Sequence, residues 1–81
     1  HLDRMPDGTR RLMSITEILG MEGNVITTQD IFTFEQTGID QEGRVCGHFQ
    51  ATGVRPHFAE KLQRSGIQLP AELFRYRKEV P

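Results

Sequence analysis

The sequence predicts an α+β fold: a small antiparallel β-sheet built from hairpins and covered by one or two C-terminal helices. Three observations predict it. Between Ile31 and Val54, apolar and polar residues alternate with period two on both sides of a polar turn, the pattern of half-buried antiparallel strands. Upstream, turn residues at Pro6-Asp7-Gly8-Thr9 and at Gly20-Met21-Glu22-Gly23-Asn24 separate stretches that suit strands. Downstream, Pro56 opens and Gly66 closes a helical pattern.

The elements follow in order. His1–Met5 is a short strand ending at a turn in which Pro6 presets φ and Asp7-Gly8 accepts a positive φ. Arg10–Leu19 is its hairpin partner. Ser14-Ile15-Thr16-Glu17 also has the form of a helix capping box, but Gly20 stops that pattern after little more than one turn, and a helix so short is marginal. Strand is the preferred reading. Gly20–Asn24 is a loop. Val25–Thr28, β-branched throughout, is a short strand, and Gln29-Asp30 marks a kink or bulge.

The central hairpin joins Ile31–Gly38 to Arg44–Val54 through Asp40-Gln41-Glu42-Gly43, with Gly43 as the left-handed residue. Phe32 and Phe34 share one face. Val45, Phe49 and Ala51 share the matching face of the next strand, and Phe34 falls opposite Phe49. Such a cross-strand aromatic pair contributes up to about 1 kcal/mol relative to Ala–Ala. The helix from Pro56 to Gly66 gathers Phe58, Ala59 and Leu62 on one side and leaves Glu60 and Arg64 as an exposed pair. Pro70 opens a second, shorter helix anchored by Leu73 and Phe74. Arg75–Glu79 is a charged tail expected to fray.

Eighty-one residues make one small domain, with 36% apolar and 26% charged residues. The net charge of −1 gives no general pull toward nucleic acid or anionic membrane. No apolar run approaches the roughly 20 residues of a membrane span. The single cysteine, Cys46, excludes an internal disulfide and fits a reducing, cytoplasmic setting. The chain starts at His1 in mid-pattern, which reads as a piece of a longer protein.

Catalytic, cofactor and metal sites are not visible. No glycine-rich stretch leads into Gly-Lys-Ser/Thr. Cys46 and His48 share a strand face, but a small semi-buried cysteine beside a surface histidine is the preferred reading over a nucleophile and its base. His1, His48 and His57 fall in three different elements. The three phenylalanines of the hairpin resemble base-stacking residues, but no basic residues are interleaved with them, so a core role is preferred. Arg4, Arg10 and Arg11 flank the first hairpin near Asp3 and Asp7. They are either a solvated rim or a cluster able to meet phosphate or a neighbour's carboxylate.

Six signatures occur in order: Asp7-Gly8-x-Arg10-Arg11, Ile15-Thr16-Glu17, Gly20-Met21-Glu22-Gly23, Gln29-Asp30-Ile31-Phe32, Ala51-Thr52-Gly53-x-Arg55-Pro56 and Leu69-Pro70-x-x-Leu73-Phe74. Together they resemble the C-terminal end of the CpaF-type ATPases, the motors of tight-adherence (Flp) pilus assembly within the type II/type IV secretion ATPase superfamily. The resemblance runs from His1 to about Phe74. It assigns residues 1–74 to the C-terminal part of the motor region and leaves residues 75–81 as a tail.

The resemblance implies a hexameric, ATP-hydrolysing, Mg²⁺-dependent parent on the cytoplasmic side of the bacterial inner membrane. That parent would work with inner-membrane pilus or secretion platform proteins. The nucleotide-binding motifs of such motors lie upstream of this segment. The segment is therefore expected to be non-catalytic, to hold no cofactor, to span no membrane, and to contribute sheet packing and contacts to neighbouring subunits. Arg4, Arg10 and Arg11 are the candidate contact residues. Two alternatives stand beside this reading: a free-standing module that binds a partner through a sheet edge, and a small nucleic-acid binder using the phenylalanine-bearing sheet.

Overall fold

A computed structural model describes residues 1–80 of the chain. Two antiparallel sheets form. The first pairs β1 (Leu2–Arg4) with β2 (Arg10–Leu12). The second has four strands in the order β3 (Ser14–Glu22), β4 (Val25–Ile39), β5 (Val45–Ala51) and β6 (Arg77–Val80). One α-helix, α1 (His57–Arg64), and one 3-10 turn (Ala71–Arg75) lie between β5 and β6. The molecule is long and thin, 48 × 34 × 16 Å.

The first hairpin closes as its turn residues predict. The Gly8 N–H donates to the Met5 carbonyl at 2.9 Å, and Gly8 takes a φ of 86°. Arg10–Leu19 is not one strand. It divides at Met13, whose carbonyl accepts the Phe34 N–H at 2.8 Å and so joins the first hairpin to β4. Gly20–Asn24 is not a loop. β3 continues through Glu22, and Gly23-Asn24 alone turns the chain, with Gly23 at a φ of 61°. A two-residue turn whose first residue has positive φ matches the twist of the strands it joins. Gly20 stays in strand because it is exposed, where a missing side chain sacrifices no packing.

β4 runs uninterrupted for 15 residues. The irregularity expected at Gln29-Asp30 is a bulge one residue on: Thr16 pairs with Asp30 and Ile15 with Phe32, so Ile31 is extra. The bulge turns Ile31 into the core, where it is almost fully buried. Phe34 pairs with Phe49 across β4 and β5, as the alternation predicts. The stacked rings, however, belong to Phe32 and Phe49, 5.7 Å apart and 7° from parallel. Sheet twist brings this diagonal pair together.

The helix ends in a Schellman motif. Ile67 N–H donates to the Leu62 carbonyl at 2.8 Å and Gly66 N–H to Gln63 at 3.0 Å, with Gly66 at a φ of 87°. Of its predicted apolar side, Ala59 is buried, Leu62 half-buried and Phe58 exposed. The helix does not roof the sheet. It adds Ala59 to one corner of the core, and the chain then returns to the sheet. The second helix is a single 3-10 turn that buries Phe74. Arg77–Val80 does not fray: it forms β6 against β5. Val80 packs beside Met5, Phe34 and Val45, and that anchor holds the strand down.

The core is two clusters. Ile31, Phe32, Ala59 and Phe74 form one; Met5, Phe34 and Val45 form the other; Phe49 touches both. Phe32, Phe34 and Phe49 are thus core residues rather than a stacking platform.

Candidate functional site

Register places the three candidate arginines. Arg4 lies directly opposite Arg10, and Leu2 opposite Leu12. Alternation puts these four side chains on one face of the first hairpin. All four are exposed, and Leu2, Asp3, Arg4 and Arg10 line a shallow depression of about 230 Å³. Like charges directly opposite are destabilising, yet among the described residues neither Arg4 nor Arg10 has an ion-pair partner. Arg11, opposite Asp3, points to the other face. Its guanidinium carbon sits 4.9 Å from the Phe34 ring centroid, and its Nε is buried without a hydrogen bond. The structure therefore brings Arg4 and Arg10 together and removes Arg11 from them.

The turn of this hairpin is clasped to β5. Asp7 accepts the Val45 N–H at 2.9 Å and the Thr9 hydroxyl and N–H at 2.6 and 3.0 Å. The Thr9 hydroxyl, followed by the Val45 and Thr9 backbone, lowers its pKa to about 2. Arg4 and Arg10 are thereby held at the end of the molecule where β4 finishes and β5 begins.

The opposite end is an arm. Beyond Asp30, β4 pairs only with β3, because β5 reaches no further along it than Phe32. The resulting two-stranded ribbon runs to the turn at Gly23-Asn24. Every residue from Ile18 to Thr28 is exposed. Met21 pairs with Ile26, and Ile18 with Thr28, on one face; Ile18, Met21 and Ile26 are 69%, 65% and 55% exposed. Glu22 pairs with Val25 at the tip.

Glu17 fixes the base of the arm. Its carboxylate accepts the His57 and Phe58 N–H groups at 2.9 and 2.8 Å and the Gln29 amide at 2.8 Å. It therefore satisfies the first turn of α1 from a strand 40 residues away. Desolvation raises its pKa, but the donors from His57, Gln29 and Phe58 outweigh it and leave the carboxyl below its ordinary value.

His48 is not a surface histidine: it is 7% exposed. Arg77 Nη2 donates to its Nδ1 at 3.3 Å, and its Nε2 lies 3.2 Å from Glu35 Oε2. Arginine can only donate, so Nδ1 accepts and Nε2 carries the proton toward Glu35. Both ring nitrogens are engaged, and Cys46 directs its thiol to the Arg44 carbonyl at 3.7 Å. The pair is not arranged as nucleophile and base. His1, His48 and His57 remain on separate elements, and no group of three metal-binding side chains occurs among the described residues. No helix among them is long and apolar enough to cross a membrane.

The sequence reading missed the arm, the Glu17 anchor and the His48 cluster. One signal for the arm was available: no lysine or arginine occurs from Leu12 to Gly43, while Ile18, Leu19, Met21, Val25 and Ile26 crowd around two glycines.

No protein-family model matches the chain, and no curated protein matches it.

Proposed function

We propose that the chain is a non-catalytic interaction segment, the C-terminal part of a CpaF-type secretion or Flp pilus-assembly ATPase that makes subunit contacts in a hexameric motor. The observation that carries this reading is the arm. A two-stranded ribbon with both outer edges open and large apolar side chains in water is a surface for another protein chain. The six ordered signatures supply the family. Two of them, Ile15-Thr16-Glu17 and Gly20-Met21-Glu22-Gly23, build one strand and the turn of that arm, and Gln29-Asp30-Ile31-Phe32 builds its base. In this reading ATP and Mg²⁺ belong to motifs upstream, the parent works on the cytoplasmic side of the inner membrane with its platform proteins, and Arg4 and Arg10 face a neighbouring subunit.

The test is the coding sequence upstream of His1, joined to an assay of the chain by itself. A Gly-x-x-x-x-Gly-Lys-Ser/Thr loop upstream, with no ATP hydrolysis above buffer by the 81 residues, is the expected result. An upstream region without a phosphate-binding loop overturns the motor reading. The open outer edge of β3 then favours the second reading, a module that recruits a partner strand.

A further inference from the structure

The charges of this chain are separated along its length. The arm carries Glu17, Glu22 and Asp30 and no basic residue. Glu17 is spent on α1 and Asp30 accepts the Thr16 hydroxyl at 2.7 Å. Glu22, at the tip, has no ion-pair partner among the described residues. At the other end stand Arg4 and Arg10, opposed and unpaired, beside exposed Leu2 and Leu12.

These two ends cannot meet within one molecule. The Asp7 turn is tied to Val45, which pairs with Ile39 at one end of β4. Glu22 pairs with Val25 at the other end. Fifteen residues of strand at a rise of about 3.3 Å each separate them by roughly 50 Å.

We infer that the arm of one copy docks on the first hairpin of a second copy, with Val25, which shares the Glu22 face of the arm tip, against Leu2 and Leu12 and Glu22 between Arg4 and Arg10. The two surfaces match in chemistry: Glu22 shares a face of the arm tip with exposed Val25, and Arg4 and Arg10 share a face of the hairpin with exposed Leu2 and Leu12. Arginine pairs suit such a role because each guanidinium presents a planar fork of donors to a carboxylate. Burying Glu22 in the contact also removes the repulsion between Arg4 and Arg10. The contact is head-to-tail, so it closes into a ring or propagates as a filament. It rests on the subunit-contact reading only for the choice of a second copy as occupant.

The experiment is sedimentation velocity on the 81-residue chain and two exposed-surface variants. One variant carries Glu22→Gln and Val25→Ser and loses the arm; the other carries Arg4→Glu and Arg10→Glu and loses the hairpin face. Circular dichroism establishes that both keep the native spectrum. The expected result is concentration-dependent association of the parent chain and monomers for each variant alone. A 1:1 mixture then gives a heterodimer that grows no further, because one intact arm meets one intact hairpin. Raising salt from ~0.1 to ~1 M, which shortens the screening length from about 10 to about 3 Å, weakens association about tenfold.

A monomeric parent chain, a mixture that stays monomeric, or a hairpin variant that still dimerises overturns the inference; the last assigns the arm to an arm-to-arm contact. The upstream sequence decides the motor reading separately, so the two fail independently.

Discussion

Gly47→Ala tests the packing of the central hairpin with one methyl group. Gly47 is buried on β5 opposite Gln36, and the Phe34 ring lies over it. An added Cβ would fall inside the van der Waals envelope of the Glu35 carbonyl oxygen, 2.7 Å from Phe34 Cζ and 3.1 Å from Gln36 Cα. Carbon pairs prefer about 3.5–4.0 Å, so the ring must withdraw by about 1 Å. Turning the ring does not relieve the clash with Glu35, which is backbone; β4 and β5 must also separate. Overpacking of this kind costs about 1–3 kcal/mol, and the strained ladder places this site at the upper end, near 3 kcal/mol. A chain of 81 residues has a total stability of about 4–12 kcal/mol. With a urea dependence of about 1 kcal/mol per molar, the unfolding midpoint should fall by about 3 M. Gly20→Ala is the control. No atom lies within 4 Å of its added Cβ and its φ is not positive, so restricting the unfolded chain should stabilise by about 0.4–1 kcal/mol. A Gly47→Ala midpoint within ~0.3 M of the parent, on that same urea scale, would refute the packing argument.

Asp7, with its pKa lowered to about 2, gives stability that is complete above the ordinary carboxyl range and is lost as pH falls from about 4 toward 2. Asp7→Asn should flatten that part of an acid-unfolding curve; an unchanged curve would remove the clasp from the account. Glu17→Ala should leave the His57 and Phe58 N–H groups without their acceptor, and their hydrogen exchange should accelerate while that of the β4–β5 ladder does not. Val80→Ala should cost about 1 kcal/mol for a half-buried side chain and loosen β6. Ending the chain after Tyr76 should go further: it uncovers the β5 edge at Gly47–Gln50 and should produce concentration-dependent aggregation, measured by light scattering.

What could be read from the residues was what local chemistry decides. Asp7-Gly8 and Gly43 named their turns because positive φ is a property of the residue itself. Period-two alternation set the Phe34–Phe49 register. Pro56 and Gly66 bounded the helix for reasons internal to it. The misreadings share a different cause. Gly20 signals a break only if its neighbours need its side chain, and on an exposed arm they do not. Arg77–Glu79 resembles a solvated tail until β5 offers an open ladder and Val80 finds Met5, Phe34 and Val45. His48 is polar and alternates outward, yet Glu35 from β4 and Arg77 from β6 enclose it. The last two outcomes depend on residues more than ten positions away. The arginine pair was legible as a cluster; that Arg11 leaves it for Phe34 follows from alternation once the hairpin register is known.

The arm poses an energetic question that the rest of the fold does not answer. A two-stranded ribbon is marginally stable alone in water, and neither core cluster contains a residue between Thr16 and Asp30. The side-chain hydrogen bonds that brace it, Glu17 to Gln29 and Thr16 to Asp30, sit at its base. The apolar side chains beyond them contribute little to folding while they remain in water. Covering them stabilises by about 25 cal/mol for each Å² removed, so the favourable free energy of Ile18, Met21, Val25 and Ile26 is realised only against another surface. A surface laid over Val25 must also answer Glu22, which shares its face, because a carboxylate buried without a cation costs several kcal/mol. Arg4 and Arg10 meet both requirements together with Leu2 and Leu12, and their mutual repulsion is relieved by the same contact. The features that weaken each end of the molecule alone are those that would stabilise the two ends together.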